Sequence, residues 1–224
     1  MDDALKAVIM QRIEKTMENL RKNNMEAYYV ENRAGVADKV RELLHKGDLV
    51  GNGGSQTLKE TGVMALLQSG DYDYLDRDRP GMTPEEKDDL FRRTFFCDAY
   101  LTSSNAITEN GELYNVDGHS NRIAAMIFGP KSVIVVAGYN KIVRNLSEAA
   151  ERVKRLAAPA NCQRLHCETY CLHTGQCRSL EEPGSDFSAG CRSAGRVCCN
   201  FAIQAQQRQK GRIKVILVGE ELGY

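Results

Sequence analysis

Residues 48–57 read Asp-Leu-Val-Gly-Asn-Gly-Gly-Ser-Gln-Thr, so a short apolar run changes abruptly into a glycine-rich turn. We predict a buried strand at Leu49 and Val50 and a helix from Leu58 onward, joined by this turn. Glycine lets the backbone approach a ligand closely, and the unpaired N–H groups that begin a helix favour an anion. The predicted ligand-binding residues of the turn are Gly51, Gly53, Gly54, Ser55 and Thr57. The alternative is an ordinary turn with a Ser or Thr helix cap, because neither a P-loop ending nor a dinucleotide fingerprint is present.

The other apolar patterns predict an α/β fold, a mainly parallel sheet covered by helices on both faces. Residues 133–137 and 213–218 are nearly continuous apolar runs, as expected of strands buried on both sides. Helical spacing predicts amphipathic helices over residues 3–23 and 142–156. Ligands of such sheets bind beyond the carboxyl ends of the strands, where we expect the glycine turn to meet the polar residues that follow position 103.

Composition restricts the classes of function. The chain has 224 residues, of which 42% are hydrophobic and 27% charged, as in ordinary soluble globular proteins. Thirty basic residues balance thirty acidic ones, which argues against a nucleic-acid partner, and no apolar run is long enough for a membrane span. The acidic start is unlike a secretory signal, so we expect a cytoplasmic protein. We predict a single domain over residues 1–224, with an N-terminal amphipathic helix at 1–24 and a Cys-rich insertion at 160–200.

Residues 104–122 carry more polar side chains than their two turn dipeptides, Asn-Gly and Asp-Gly, require. We predict catalytic roles for Glu109 as base or nucleophile, His119 as proton shuttle and Arg122 as a bidentate clamp on a carboxylate or phosphate. The predicted ligand-binding residues in and after this segment are Asn110, Gly111, Asn121 and Lys141. The alternative is that these are turn and cap residues with solvated charges.

The chain contains eight cysteines, of which seven lie between Cys162 and Cys199. Thiols clustered in a reducing compartment favour an iron–sulfur cluster or zinc, with His166 or His173 able to replace one sulfur ligand. The predicted metal ligands are Cys167, Cys171, Cys177, Cys191 and Cys198. The spacing matches neither a zinc ribbon nor a ferredoxin run, so reduced thiols or disulfides without metal are the alternative.

Several motifs together resemble the lactate-utilisation (LUD) domain family. They are Gly-Asn-Gly-Gly-Ser-Gln-Thr at 51–57, Thr-Ser-Ser-Asn-Ala-Ile-Thr-Glu-Asn-Gly-Glu-Leu at 102–113, Asn-Arg at 121–122, Val-Ala-Gly-Tyr-Asn-Lys at 136–141 and Val-Gly-Glu-Glu-Leu-Gly-Tyr at 218–224. The resemblance implies the fold of ribose-5-phosphate isomerase, glucosamine-6-phosphate deaminase and coenzyme A transferases. It also implies that the glycine turn holds phosphate in the sugar-phosphate members. Glu109-Asn110-Gly111 is similar to the Ser-Glu-Asn-Gly nucleophile motif of class I transferases, with Thr108 in place of the serine.

Three functions are compatible with these patterns. The first is a LUD-type protein that binds a small anionic metabolite and works with an iron–sulfur redox partner protein in lactate or organic-acid oxidation. The second is a stand-alone coenzyme A transferase or sugar-phosphate isomerase. The third is a non-catalytic regulatory or assembly subunit, and the amphipathic first helix is compatible with a homo-oligomer. The first function depends on the glycine turn and the polar segment lining one pocket.

Overall fold

The computed structural model describes residues 2–182 and 184–224. The strands in chain order are β1 (Glu26–Val30), β2 (Leu49–Asn52), β3 (Asp73–Tyr74), β4 (Ala99–Thr102), β5 (Ala106–Thr108), β6 (Leu113–Asp117), β7 (Ser132–Gly138), β8 (Ile142–Val143), β9 (Asn200–Gln204) and β10 (Ile213–Val218). The helices are α1 (Asp3–Lys22), α2 (Val36–Leu43), α3 (Gln56–Glu60), α4 (Val63–Leu67), α5 (Pro84–Arg93), α6 (Asn121–Ile127), α7 (Leu146–Arg152), α8 (Ala158–Leu165) and α9 (Tyr170–Thr174).

A six-stranded parallel sheet in the order β1-β10-β7-β4-β2-β3 forms the centre of the fold. Alternate residues of a strand face opposite sides of a sheet. Val133 and Val135 of β7 therefore pack with α1, whereas Ile134 and Val136 pack with α2, α3 and α4. The predicted α/β fold, with helices on both faces of a mainly parallel sheet, is confirmed.

A second sheet, in the order β8-β5-β6-β9, was not predicted. β6 pairs antiparallel with β5 and β9, and β8 pairs parallel with β5. The predicted helix over 142–156 is wrong at its start, because Ile142 and Val143 pair with β5 as the strand β8. The helix begins only at Leu146, after Asn145 accepts a hydrogen bond from the Glu148 N–H at 3.0 Å.

The helical chain after β8 is longer than expected. α7 continues through a π-helical turn at Val153–Ala157 directly into α8, so one helical segment runs from residue 146 to 165. π-helical turns occur frequently beside functional sites. Across the described residues, every helix is too short or too polar to cross a membrane.

Candidate functional site

A polar pocket lies beyond the carboxyl ends of β2, β4 and β7, where the glycine turn, the residues after β4 and Lys141 meet. The pocket and the open space at its mouth together take up about 560 Å³ that protein atoms do not fill. We call it the strand-end pocket; its lining residues are Gly54, Ser55, Gln56, Ser103, Ser104, Asn105, Val116, Asp117, Arg122, Lys141, Ala157, Asn161, Arg164 and Tyr224. The glycine turn and the later half of the polar segment thus lie together.

Gly53 permits the close approach that joins the glycine turn to the polar segment. Its N–H donates to the Leu101 carbonyl at 2.9 Å, which fixes the turn on β4. A Cβ at Gly53 would lie 3.0 Å from Cγ and Cδ of Arg122 and 3.1 Å from the Thr102 hydroxyl oxygen. A larger residue would therefore push the Arg122 side chain away from the turn.

Arg122 lines the pocket and forms hydrogen bonds with several residues of its wall. A guanidinium has five N–H donors, and all five have partners here. Nε donates to Asp117 Oδ1 at 2.9 Å, Nη1 to Ser103 O at 3.0 Å and Asn115 Oδ1 at 2.6 Å, and Nη2 to Asn105 Oδ1 at 2.9 Å and Val116 O at 3.1 Å. Arg122 therefore has no free donor with which to form the predicted bidentate clamp on a ligand. Its hydrogen bonds instead position the walls of the pocket.

Lys141 is a buried cation of the pocket that has a donor left for a ligand. It is 2% exposed, and Nζ donates at 2.9 Å to the hydroxyl oxygens of Thr57 and Ser103. Burial, together with the positive charges of Arg152 and Arg122, lowers the pKa of Lys141 to about 7. An ammonium has three donors, so one is left for a ligand, and the group changes charge near neutral pH.

Two further cations beside the pocket were missed by sequence reasoning. Arg152 donates from Nη1 to Asn105 O at 2.7 Å, while its Nη2 is buried with no hydrogen-bond partner among the described residues. Burial lowers the pKa of Arg152 to about 10. Arg164 of α8 lines the pocket and donates from Nε to the Tyr224 hydroxyl at 2.6 Å. Both arginines lie on the helical segment 146–165, where the sequence pattern cannot distinguish them from solvated charges.

Gly54 and Ser55 of the glycine turn line the pocket, but the helix that follows the turn gives little support to an anion site at a helix terminus. α3 has only five residues, too few for a substantial dipole, and Ser55 accepts from the Leu58 N–H at 3.2 Å as an ordinary cap. Thr57 is buried and holds Lys141. Gly51 lies within β2, where a Cβ would meet the Thr94 side chain at 3.0 Å, so its role is packing.

Glu109, Asn110 and Gly111 lie apart from the strand-end pocket, against α1. The Glu109 carboxylate accepts from Arg12 Nε at 3.1 Å and from Lys15 Nζ at 2.8 Å. Gly111 has φ +82°, and a Cβ there would lie 2.6 Å from the Asn19 carbonyl carbon. The turn is therefore shaped to contact α1, and Glu109 is not among the residues that line the pocket.

His119 and Asn121 are also outside the pocket lining. His119 is exposed in the loop after β6, and Asn121 is the first residue of α6. His119, for which we predicted a proton-shuttle role, therefore does not face the strand-end pocket.

Four of the five predicted metal ligands line one cavity beside the helical segment 146–165. This cavity is separate from the strand-end pocket. Cys171, Cys177, Cys191 and Cys198 contact this cavity, while Cys167 does not. Within residues 2–182 and 184–224, no three His, Cys, Asp or Glu side chains meet at a point where they could hold one metal ion. All eight cysteines are free thiols, and Cys97 is buried.

Comparison with known proteins identifies a family. A family model described as the LUD domain matches residues 13–218. A DUF162 family protein from Deinococcus radiodurans has 15% identity and a TM-score of 0.47, over 96% of this chain and 98% of that chain. eIF2B beta from Chaetomium thermophilum has 14% identity and a TM-score of 0.35, over 50% of this chain and 43% of its own. No curated protein matches this chain.

Proposed function

We propose, from the premise that this chain belongs to the LUD domain family, that it binds a small organic anion in the strand-end pocket. Membership of the family supports a protein related to lactate utilisation. The anion would be a short hydroxy or oxo acid, and the protein would work beside an iron–sulfur redox partner in organic-acid oxidation.

The environment of Lys141 is the main support for this proposal. It is a buried ammonium whose two visible partners are neutral hydroxyl groups, so its charge has no carboxylate directly beside it. Asp117, the carboxylate side chain that lines the pocket, is already paired with Arg122 Nη2 at 2.7 Å. A buried unpaired charge is costly, and an anionic ligand would relieve that cost.

Arg152 and Arg164 add to the positive character of the pocket. The free Nη2 of Arg152 is a buried donor without an acceptor, which natural folds rarely leave unsatisfied. Arg164 gives a further cation at the rim, where it is held by the Tyr224 hydroxyl. Arg152 is not among the residues that line the pocket and acts through its charge, so Arg164 is the one of the two that a ligand in the pocket could contact.

Acyl transfer through Glu109 receives no support from the geometry. Its carboxylate is engaged by Arg12 and Lys15 of α1, and these two cations lower the pKa of Glu109 against the effect of burial. A nucleophile must be able to reach its substrate. Lys141, and not Glu109, is therefore the residue expected to recognise the ligand.

Calorimetric titration of the full chain with L-lactate and pyruvate tests the proposal. Lactamide, which has the same shape as lactate but no charge, serves as the ligand control. We expect lactate or pyruvate to bind at least about tenfold more tightly than lactamide, because the charge provides the recognition. Equal binding of lactate and lactamide, or no binding of either acid, would contradict the proposal.

A matched pair of lysine variants assigns the binding to the pocket. Lys141→Met removes the buried ammonium and leaves an unbranched apolar side chain that is one atom shorter. The Thr57 and Ser103 hydroxyls retain carbonyl acceptors at Leu222 and Ser104. We expect it to weaken acid binding roughly tenfold or more. Lys210→Met, at an exposed lysine outside the pocket, should leave binding unchanged.

A further inference from the structure

We propose that Cys162 and Cys171 form an oxidative modification site, at which hydrogen peroxide joins the two thiols in an intramolecular disulfide that weakens anion binding in the strand-end pocket. Both cysteines are free thiols, and their Sγ atoms are 3.6 Å apart. The disulfide itself does not depend on the proposed function. Its effect on anion binding rests on that function.

A tight reversal of the chain brings the two cysteines together. Cys162 lies in α8 and Cys171 lies in α9, nine positions later. α8 ends where His166 adopts the left-handed conformation, with φ +51°. Gln163 Nε2 donates to the Leu172 carbonyl at 2.6 Å, which ties α8 to α9 beside the thiols. The two helices are therefore already held side by side before any bond forms between the sulfurs.

The step from this contact to a covalent bond is short. A disulfide has an S–S length of about 2.05 Å, so the two sulfurs must approach by about 1.5 Å from their separation of 3.6 Å. α9 has only five residues and can supply part of that movement. Because the fold already closes the short loop between the cysteines, joining them costs little further chain entropy.

A small cavity gives an oxidant access to the pair. It is the cavity lined by Cys171, Cys177, Cys191 and Cys198, and it has room for a molecule about the size of water. Hydrogen peroxide is only slightly larger than water. Cys162 lies outside this lining, and burial raises the pKa of its thiol, which disfavours the reactive thiolate. Cys171 is therefore the thiol that meets the oxidant first, and Cys162 completes the bond.

The reaction consumes one molecule of hydrogen peroxide. The Cys171 sulfur attacks one peroxide oxygen, the O–O bond breaks, and the thiol becomes a sulfenic acid while the other oxygen leaves as water. The Cys162 sulfur then attacks the sulfenic sulfur, and its proton leaves with the hydroxyl group as a second water. The two thiols together lose two protons and two electrons. The Thr169 hydroxyl oxygen, 3.3 Å from Cys171 Sγ, is placed to assist the proton transfers.

The disulfide acts on the strand-end pocket through α8. Asn161 and Arg164 of this helix line the pocket. Since successive residues of an α-helix are turned by about 100°, Cys162 points roughly 130° away from the mean direction of these two side chains. Drawing Cys162 toward α9 therefore draws Arg164 away from the pocket. The pocket loses part of its positive charge, so the oxidised chain should bind an anion more weakly.

Peptide mapping of the full chain after treatment with hydrogen peroxide tests the inference. Cleavage by trypsin after arginine leaves Cys162 on the peptide 156–164 and Cys171 on the peptide 165–178. After alkylation of the remaining free thiols, we expect these two peptides to be linked, with fragmentation placing the bond at Cys171 and dithiothreitol separating them. No linked peptides, or a bond from Cys162 to a different cysteine, would overturn the inference.

Cysteine variants separate this pairing from general oxidation of thiols. Cys162→Ser and Cys171→Ser should each abolish the linked peptides. Cys97→Ser, at a buried thiol, and Cys199→Ser, at an exposed one, should retain them. Circular dichroism identifies variants that fail to fold, and for those alanine replaces serine. Loss of the linked peptides in a folded control variant would show that the bond forms by exchange through a third thiol, against direct pairing.

Lactate titration of the same samples measures the effect on the pocket and distinguishes the two proposals. We expect the oxidised chain to bind lactate roughly threefold or more weakly than the reduced chain, with recovery after dithiothreitol and no effect of peroxide in Cys171→Ser. Equal lactate affinity of the reduced and the linked chain would refute the effect on the pocket.

The remaining outcomes assign a failure to one proposal or the other. A chain that forms the disulfide but binds no lactate when reduced supports the modification site and refutes the anion proposal. A chain that binds lactate but never forms the disulfide refutes the modification site and leaves the strand-end pocket supported.

Discussion

Glu109 and Arg122 lie only thirteen positions apart, yet the fold places them at opposite ends of β6. The turn that carries Glu109 precedes β6 and contacts α1. Asp117 is the last residue of β6 and Arg122 lies beyond it, and both line the strand-end pocket. A strand of five residues at ~3.3 Å per residue spans about 13 Å from first to last Cα. One short strand is therefore enough to divide a polar segment of sequence into two regions with different surroundings.

The two regions also differ in how their charges are satisfied. Around Arg122 the partners are side-chain and carbonyl oxygens within the fold, and both members of the Arg122–Asp117 pair have only 11% of the side chain exposed. Around Glu109 the partners are Arg12 and Lys15, whose side chains are 43% and 58% exposed. Buried pairs are sensitive to loss of one member, whereas partners open to water are screened. Loss of a charged partner should therefore cost more around Arg122 than around Glu109.

The largest expected effect is that of Arg122→Met on stability. The substitution leaves Asp117 without its cation and removes the donors to Asn105 and Asn115. Breaking a buried pair on one side costs roughly 3–5 kcal/mol, so we expect a loss of that order in the free energy of unfolding, measured with urea. Arg144→Met, at an arginine with 75% of its side chain exposed, is the control and should cost less than about 1 kcal/mol. Equal effects of the two would mean that the regions do not differ as described.

The general architecture was predictable because it depends on local pattern. The apolar run at 133–137 forms β7, and Thr83 with Glu86 forms the capping box that begins α5. The second sheet was not predictable in this way. β9 is a short mixed segment that becomes a strand only by pairing with β6, for example Ala202 with Asn115.

The pocket was predictable only in part, for the same reason. The glycine turn and the polar residues after β4 are recognisable in the sequence. Because both follow strands of a parallel sheet, they are expected to lie at the same edge of that sheet. Lys141 gains its special environment from Thr57 and Ser103, which are 84 and 38 positions away. In the sequence, Arg152 and Arg164 have the pattern of ordinary charged residues on a helix. They approach the pocket because the fold places the helical segment 146–165 beside the strand ends. Only tertiary structure distinguishes such residues.

A smaller effect is expected when pH changes the charge of Lys141. Burial, followed by the positive charges of Arg152 and Arg122, lowers the pKa of Lys141 to about 7, against the opposing effect of Glu60. Below that pH the ammonium is present to bind the anion, and above it the neutral amine dominates. Affinity for lactate should therefore fall by up to about tenfold per pH unit between pH 7 and 8.5, about 1.4 kcal/mol per unit, as measured by calorimetry.

The pH dependence of lactate affinity can also be measured in the Lys141→Met variant. In Lys141→Met the pH dependence over this range should disappear together with most of the affinity, while Lys210→Met should keep the parent profile. A pH profile that persists in Lys141→Met would assign the titration to another group and remove Lys141 from the recognition of the anion.

The smallest effect is expected for Glu109→Gln, at the other end of β6. The pKa of Glu109 is lowered by the hydrogen bond from Lys15 and, against burial, by Arg12 and the charges of both cations. A lowered pKa means that the ion pairs stabilise the fold above the ordinary pKa of 4.5, and that this contribution is lost as pH falls through the folded value. Because both partners are largely exposed, Glu109→Gln should cost less than about 1 kcal/mol in urea unfolding at pH 7. The difference from the parent should vanish at strongly acidic pH, and lactate affinity should not change. A large loss of lactate affinity in this variant would mean that the two ends of β6 act as one site, against the separation on which the other predictions depend.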